Sequence, residues 1–196
     1  MSKLLNVSSS PHVRCGVSTK NLMYDVAIAM LPATIWGVMQ FGIYSLIVVV
    51  ATVLSCVLSE YLFETLMHKP VTISDGSALV TGMILGLNMP PAIPLWMPIL
   101  GGVFAIIVVK QLYGGLGQNW MNPALAARCF MLISFAQAMT KFTDPVTDAV
   151  ASAIPLAAIK AGDTYDLAAM FIGKIPGTIG EVSVIALLIG AAYLLV

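Results

Sequence analysis

Charge is scarce in this sequence. Asp, Glu, Lys and Arg make up only 9% of its 196 residues, with nine of each sign. A soluble globular chain carries about 25% charged residues, and so few cannot cover a surface that faces water. With zero net charge and no basic run, there is no phosphate-binding face, so a nucleic-acid partner is not expected. Cysteine and histidine are as sparse. Cys15, Cys56 and Cys129 stand far apart without a CxxC pair, and His12 and His68 are each isolated. Neither zinc nor a locally encoded iron–sulfur cluster is signalled, and no metal site is expected. Cys56 and Cys129 fall in apolar segments and read as small packing residues, whereas Cys15 lies in a polar arm. No Walker or Rossmann glycine spacing is present.

What is abundant is apolar. Hydrophobic residues make up 59% of the chain, and its mean hydropathy is +0.97. This places it among integral membrane proteins. A spanning helix needs roughly 20 mostly apolar residues. Apolar segments run over Leu22–Phe41, Tyr44–Met67, Gly76–Met89, Leu95–Leu112, Pro123–Met139 and Gly177–Val196. The expected fold is all-α, a polytopic bundle of about six transmembrane helices in the lipid bilayer. Residues 1–21 form an N-terminal arm, 22–139 a five-segment bundle, 140–176 an external loop and 177–196 a sixth helix. The arm has basic residues but no apolar core directly after them, so it is not a signal peptide. Segment six stops at Val196 in mid-run without a polar tail, which points to a truncated chain or a fragment.

Basic residues set the orientation. Lys3, Arg14 and Lys20 precede the first segment and place the N-terminus in the cytoplasm. His68 and Lys69, and then Lys110, return to that side. The uncharged turns at Gly42-Ile43 and Pro90–Pro98, and the loop Thr140–Pro176, face outside.

Three stretches carry polar groups at depth. SDGSALVTGMILGLNMPP, Ser74–Pro91, is rich in Gly, Ser and Thr. It reads either as a tightly packed central helix or as a half-helix whose N-terminus meets a polar ligand, with Asp75 as its cap. In YGGLGQNWMNPALAARCF, Tyr113–Phe130, the glycines permit sharp turns and Pro123 suits a first helical turn. Asn119 and Asn122 there offer amides that can read the edge of a flat polar ring, or simply cap the helix. Charges inside a membrane are costly and have a structural or functional role by default. Glu60 and Glu64 share a helix face at i, i+4, Asp25 lies near the inner end of segment one, and Arg128 lies a turn or two into segment five. They sit at the interface, with Arg128 snorkelling or paired with a carboxylate, or they line an ion path. In GTIGEVSVIALLIGAAYLL, Gly177–Leu195, Glu181 is expected in the first helical turn.

Four stretches carry a family resemblance: SPHVRCGVSTKNLMYDVAIAMLPA, SDGSALVTGMILGLNMPPAIPLW, GGLGQNWMNPALAARCF and GTIGEVSVIALLIGAAYLL. In this order they resemble the RnfD/NqrB family of membrane subunits. The likeness is nearer to RnfD, of the Rnf electron-transport complex, than to NqrB, of the sodium-translocating NADH:quinone oxidoreductase. The resemblance implies a fold of about ten helices in two inverted halves, of which this chain supplies the first half plus one helix. It also implies a component of a bacterial or archaeal cell-membrane complex that couples electron transfer between ferredoxin and NAD to movement of sodium ions or protons. The chain would not be catalytic alone, and electrons would arrive from the other subunits of the complex. The family carries FMN, esterified by a flavin transferase to a threonine in a motif resembling D-x-x-[ST]-G-A-T-P-L. Here the run is DAVASAIPL, Asp148–Leu156. Ile154 occupies the threonine position and has no oxygen to esterify, while Ser152 stands two residues early. Covalent FMN is therefore expected to be absent or much reduced. A second flavin, riboflavin or FMN held noncovalently, makes Asn119 and Asn122 candidate contacts by the same resemblance. The runner-up readings are a flavin-free assembly component of such a complex and a channel or transporter.

Overall fold

The computed structural model describes residues 18–143, 150–151, 160 and 167–195. Their regular structure is helical apart from one short antiparallel pair. In it β1 (Phe142–Thr143) meets β2 (Val150–Ala151), with Phe142 opposite Ala151.

Helix α1 (Thr19–Phe41) begins at Ser18, whose Oγ accepts from the amide of Asn21 at 3.4 Å. A single residue, Gly42, separates it from α2 (Ile43–Leu66). Gly42 takes φ +81°, a reversal that suits glycine. With 23 and 24 residues, α1 and α2 are long and apolar enough to cross a membrane. The shorter helices are α3 (Ser77–Leu87), α4 (Trp96–Val103), α5 (Pro123–Ser134), α6 (Ala136–Met139), α7 (Leu167–Ile172) and α8 (Val184–Leu195). Helix α4 continues directly into a π-helix over Phe104–Gln111.

The burial pattern is that of a protein in lipid. On α1 the buried residues are small, Ala27, Ala29, Ala33, Thr34 and Gly37, while Leu31, Ile35 and Met39 are exposed. Helix α2 likewise buries Ser45, Thr52, Ser55, Cys56 and Ser59 and exposes Leu54, Leu58 and Leu62. Water would favour the reverse. In a bilayer, small residues gain close helix packing and large apolar ones gain lipid contact.

Helix α3 is the centre of the bundle. Nine of its residues are buried, against α1, α2, α4 and α5. Gly82 and Gly86, one turn apart, lie directly on the backbone of α2. A Cβ on Gly82 would come within 2.6 Å of Val53 Cα, and one on Gly86 within 3.0 Å of Val49 Cα. The packed-central-helix reading therefore holds. The N-cap position itself is Gly76, in left-handed geometry, and Asp75 acts from one residue earlier: its Oδ1 accepts from Ser77 N at 2.8 Å and from Ser77 Oγ at 2.6 Å. Cys56 is buried, as its packing role requires, but Cys129 is exposed and is not a core residue.

Helix α8 runs antiparallel to α1. Ile179 packs on Gly37, Gly190 on Ala29, and Tyr193 Oη lies 3.5 Å from Asp25 Oδ1. Two expected segments are shorter than their apolar runs. Segment five is interrupted at Phe135, which leaves helical geometry with φ −133° and ψ 45°. Segment six starts as a helix only at Val184, because the residues before it bond elsewhere. Ile179 N donates to Met89 O at 3.1 Å and Gly180 N to Leu87 O at 2.8 Å, tying this stretch to the end of α3. Glu181 precedes the helix, with its Oε1 accepting from Thr178 N at 3.2 Å, and Ser183 Oγ accepts from Ala186 N at 3.3 Å.

Candidate functional site

Two clusters of polar groups lie at the end of the bundle that holds Ser18. The first joins α2, the start of α3 and the π-helix. Lys110 Nζ is 2.5 Å from Glu60 Oε1 and 2.5 Å from Ser77 Oγ. Gln111 Nε2 donates to Glu60 Oε1 at 2.8 Å and to Glu64 Oε1 at 3.3 Å. Glu64 is also held by Thr72, whose N–H donates to Oε2 at 3.0 Å and whose hydroxyl donates to Oε1. The side chains of Lys110 and Glu60 are 2% and 0% exposed, so protein, not lipid or water, surrounds them.

The helix type explains how two successive residues reach one carboxylate. In an α-helix neighbouring side chains diverge by about 100°. The i→i+5 bonding of a π-helix lowers this to about 80°, and π-helical turns occur frequently at functional sites. Leu112 N bonds Ile107 O at 3.1 Å in this pattern. The shared face of Glu60 and Glu64 was legible in the sequence. Their location was not: they are interior, not interfacial, and their partner is Lys110. Arg128 has no carboxylate partner among the described residues; its Nη1 donates to Asn88 Oδ1 at 2.7 Å. Nor do three His, Cys, Asp or Glu side chains converge on one point among those residues.

The second cluster surrounds the glycine loop. Gly114, Gly115 and Gly117 take φ of +114°, +92° and +88°, so the chain turns tightly before α5. Asn122 caps α5, its Oδ1 accepting from Ala124 N at 3.0 Å and Leu125 N at 3.4 Å. The cap uses the oxygen of that amide. Asn119 Oδ1 is buried and has no hydrogen-bond partner among the described residues. A cleft of about 460 Å³ opens between the π-helix and α5, lined among others by Phe104, Tyr113, Trp120, Asn122 and Cys129. Its rings are organised: Phe104 stacks on Phe130 with centroids 4.3 Å apart, and Tyr113 lies 6.0 Å from Trp120.

The sequence pattern of the NQR2, RnfD, RnfE family matches residues 6–196. The chain belongs to that family. It is 47% identical over 197 residues to the D-subunit of the Na+-translocating ferredoxin:NAD+ oxidoreductase complex of Acetobacterium woodii, covering 97% of the chain and 62% of that protein. It is 40% identical over 206 residues to the D-subunit of the proton-translocating ferredoxin:NAD+ oxidoreductase complex of Clostridium ljungdahlii, covering 98% of the chain and again 62% of the relative. The D-subunit of the ion-translocating oxidoreductase complex of Rhodobacter capsulatus is 31% identical over 223 residues, covering 96% of the chain and 62% of that protein. The chain therefore spans about three fifths of the length of these relatives.

Membership of the NQR2, RnfD, RnfE family agrees with the inside-out burial pattern and establishes a helical membrane protein. Of the residues singled out in the sequence, Asn119 and Asn122 lie together at the glycine loop. Asp148, Ser152 and Ile154 lie outside the described residues. The described part of their run, Val150–Ala151, is the strand paired with Phe142–Thr143.

Proposed function

We propose that the chain is part of a membrane component of an ion-translocating ferredoxin:NAD oxidoreductase complex and holds a flavin noncovalently beside its glycine loop. The observation that carries this is the cleft lined by Phe104, Tyr113, Trp120 and Asn122. An isoalloxazine ring has apolar faces and a polar edge. The cleft is within the range of about 300–1,000 Å³ common for small-molecule sites. Its walls offer the rings of Phe104, Tyr113 and Trp120 together with Asn122, and Asn119, two residues before the lining residue Met121, has a buried Oδ1 without a donor among the described residues. These residues fit the group, and they would position it. A bound flavin supplies one-electron acceptance and donation.

The finer reading follows the relatives. The chain crosses a bacterial or archaeal cell membrane about six times, with its N-terminus in the cytoplasm, as the first half plus one helix of an inverted-repeat fold. Its partners are the other subunits of the complex. At Ile154 the transferase finds no hydroxyl, so covalent FMN is absent there. A flavin-free assembly component is the second reading, and Ile154 is what favours it.

Flavin fluorescence of the purified complex separates the two. Denaturation is expected to release flavin in solution, and Asn119→Ala is expected to lower the amount bound. A complex without flavin leaves the assembly reading. Solute flux in liposomes without an electron donor would instead support a channel.

A further inference from the structure

We propose that the crevice between α1, α3 and α8 binds a single-chain lipid with an uncharged hydroxyl head, seated with that head at Thr178 and Glu181. The cavity there has a volume of about 420 Å³, in the range common for small-molecule sites. Small side chains leave the space. Helix α1 contributes Ala29 and Ala33 to its wall, and α8 contributes Gly190 and Ala191. A second space of about 350 Å³ shares Val26 and Leu194 with the first and continues the groove to Asp25 and Tyr193. From Asp25 to Ala33 the groove follows α1 for about 12 Å, room for an extended alkyl chain. It shares no lining residue with the cleft between the π-helix and α5, so it stands apart from the flavin reading.

The polar groups define the head. Only Asn88, Thr178 and Glu181 bring polar side chains to the larger cavity. Asn88 is already engaged: its Oδ1 accepts from Arg128, and its Nδ2 donates to Ile84 O at 2.8 Å. Thr178 is 2% exposed, and its Oγ1 is buried with no partner among the described residues. An unpaired buried hydroxyl is costly, and an occupant that pairs it relieves the cost. Glu181 Oε1 accepts from Thr178 N at 3.2 Å, and a carboxylate has acceptor capacity beyond one such bond. The head must therefore donate to Glu181 and pair with a hydroxyl. Lys and Arg are absent from the wall, so a phosphate head would meet the carboxylate uncompensated. An ammonium would carry a full charge into a wall that is otherwise apolar. A hydroxyl does neither. Water alone suits the space poorly, because a buried water needs two to four polar partners and most of this wall has none.

The test uses the whole complex in phosphatidylcholine vesicles and a photoactivatable monooleoylglycerol as probe. Labelled peptides are read by mass spectrometry. Label is expected on the α1 and α8 peptides that line the cavity. Unlabelled monooleoylglycerol is expected to compete it away. Three competitors with the same or a similar chain are expected to fail: methyl oleate, which cannot donate, oleoyl lysophosphatidate, which is anionic, and oleylamine, which is cationic. Thr178→Val is expected to lower labelling by about three- to ten-fold, the worth of one hydrogen bond. Its unfolding midpoint should hold, because the lost hydroxyl has no partner among the described residues. Ala191→Phe, at an exposed position on the cavity wall, is expected to abolish the label. Competition by methyl oleate as strong as by monooleoylglycerol overturns the proposal, since the chain is then held without its head. So does competition by either charged lipid at that strength, or an absence of label on α1 and α8, whether or not the variants fold. Full labelling of Thr178→Val overturns it as well.

Discussion

The Nζ of Lys110 lies 2.5 Å from Oε1 of Glu60, fifty residues away in sequence, and both side chains are sealed inside the bundle. Breaking a buried pair from one side leaves an uncompensated charge, at a cost of about 3–5 kcal/mol. Glu60→Leu and Lys110→Met alone are therefore expected to lower the unfolding midpoint in detergent strongly. The double variant should recover most of the loss, since apolar replacement of both partners is often near neutral. Additive losses would show that the pair is not what each residue contributes.

Helix contact at the small residues is the second prediction. A Cβ on Gly190 would meet Ala29 O at 2.2 Å, and one on Gly82 would meet Val53 Cα at 2.6 Å. Both neighbours are backbone and cannot swing aside. Gly190→Ala and Gly82→Ala are each expected to destabilise by about 1–3 kcal/mol through overpacking. Leu188→Ala, at an exposed position on α8, should cost much less. Equal effects at all three would contradict the packing.

Asn119 and Asn122 should separate by readout. Asn122→Ala removes the α5 cap and is expected to cost about 1 kcal/mol of stability, which Asn122→Asp largely restores. Asn119→Ala removes an acceptor that has no partner among the described residues, so stability should hold while bound flavin falls. Thermal unfolding beside flavin content of the same samples checks both.

On the proposed reading, covalent flavin attachment in the run Asp148–Leu156 turns on one side chain. Co-expressed with a flavin transferase, the unmodified chain is expected to show no fluorescent band on a denaturing gel. Ile154→Thr supplies the missing hydroxyl and is expected to gain one. A band on the unmodified chain that disappears in Ser152→Ala would locate the ester at Ser152 and refute the expectation.

Local features were legible because their causes are local. Asn122 followed by Pro123 reads as a helix start in sequence, and the cap bonds are there. Asp75 was legible as a group bonding the start of α3, though Gly76 takes the cap position. The break at Phe135 and the late start of α8 were not, because apolarity continues through both. The bonds that delay α8 go to Leu87 and Met89, roughly ninety residues earlier. Arg128 finds Asn88 instead of a carboxylate for a similar reason: the end of α3 lies beside it.

Composition alone determined the solvent. A chain with 9% charge and 59% hydrophobic residues can cover itself only with lipid. Which face of each helix turns inward was a tertiary decision. On α1 and α2 the large apolar residues face outward, so no hydrophobic stripe marks the core side. Close approach marks it instead, at glycine, alanine and serine, and becomes visible only once the neighbouring backbone is in place. The same holds for Lys110. Its place in the chain sets its charge and its depth, but only the packing of the π-helix against α2 brings that charge onto Glu60.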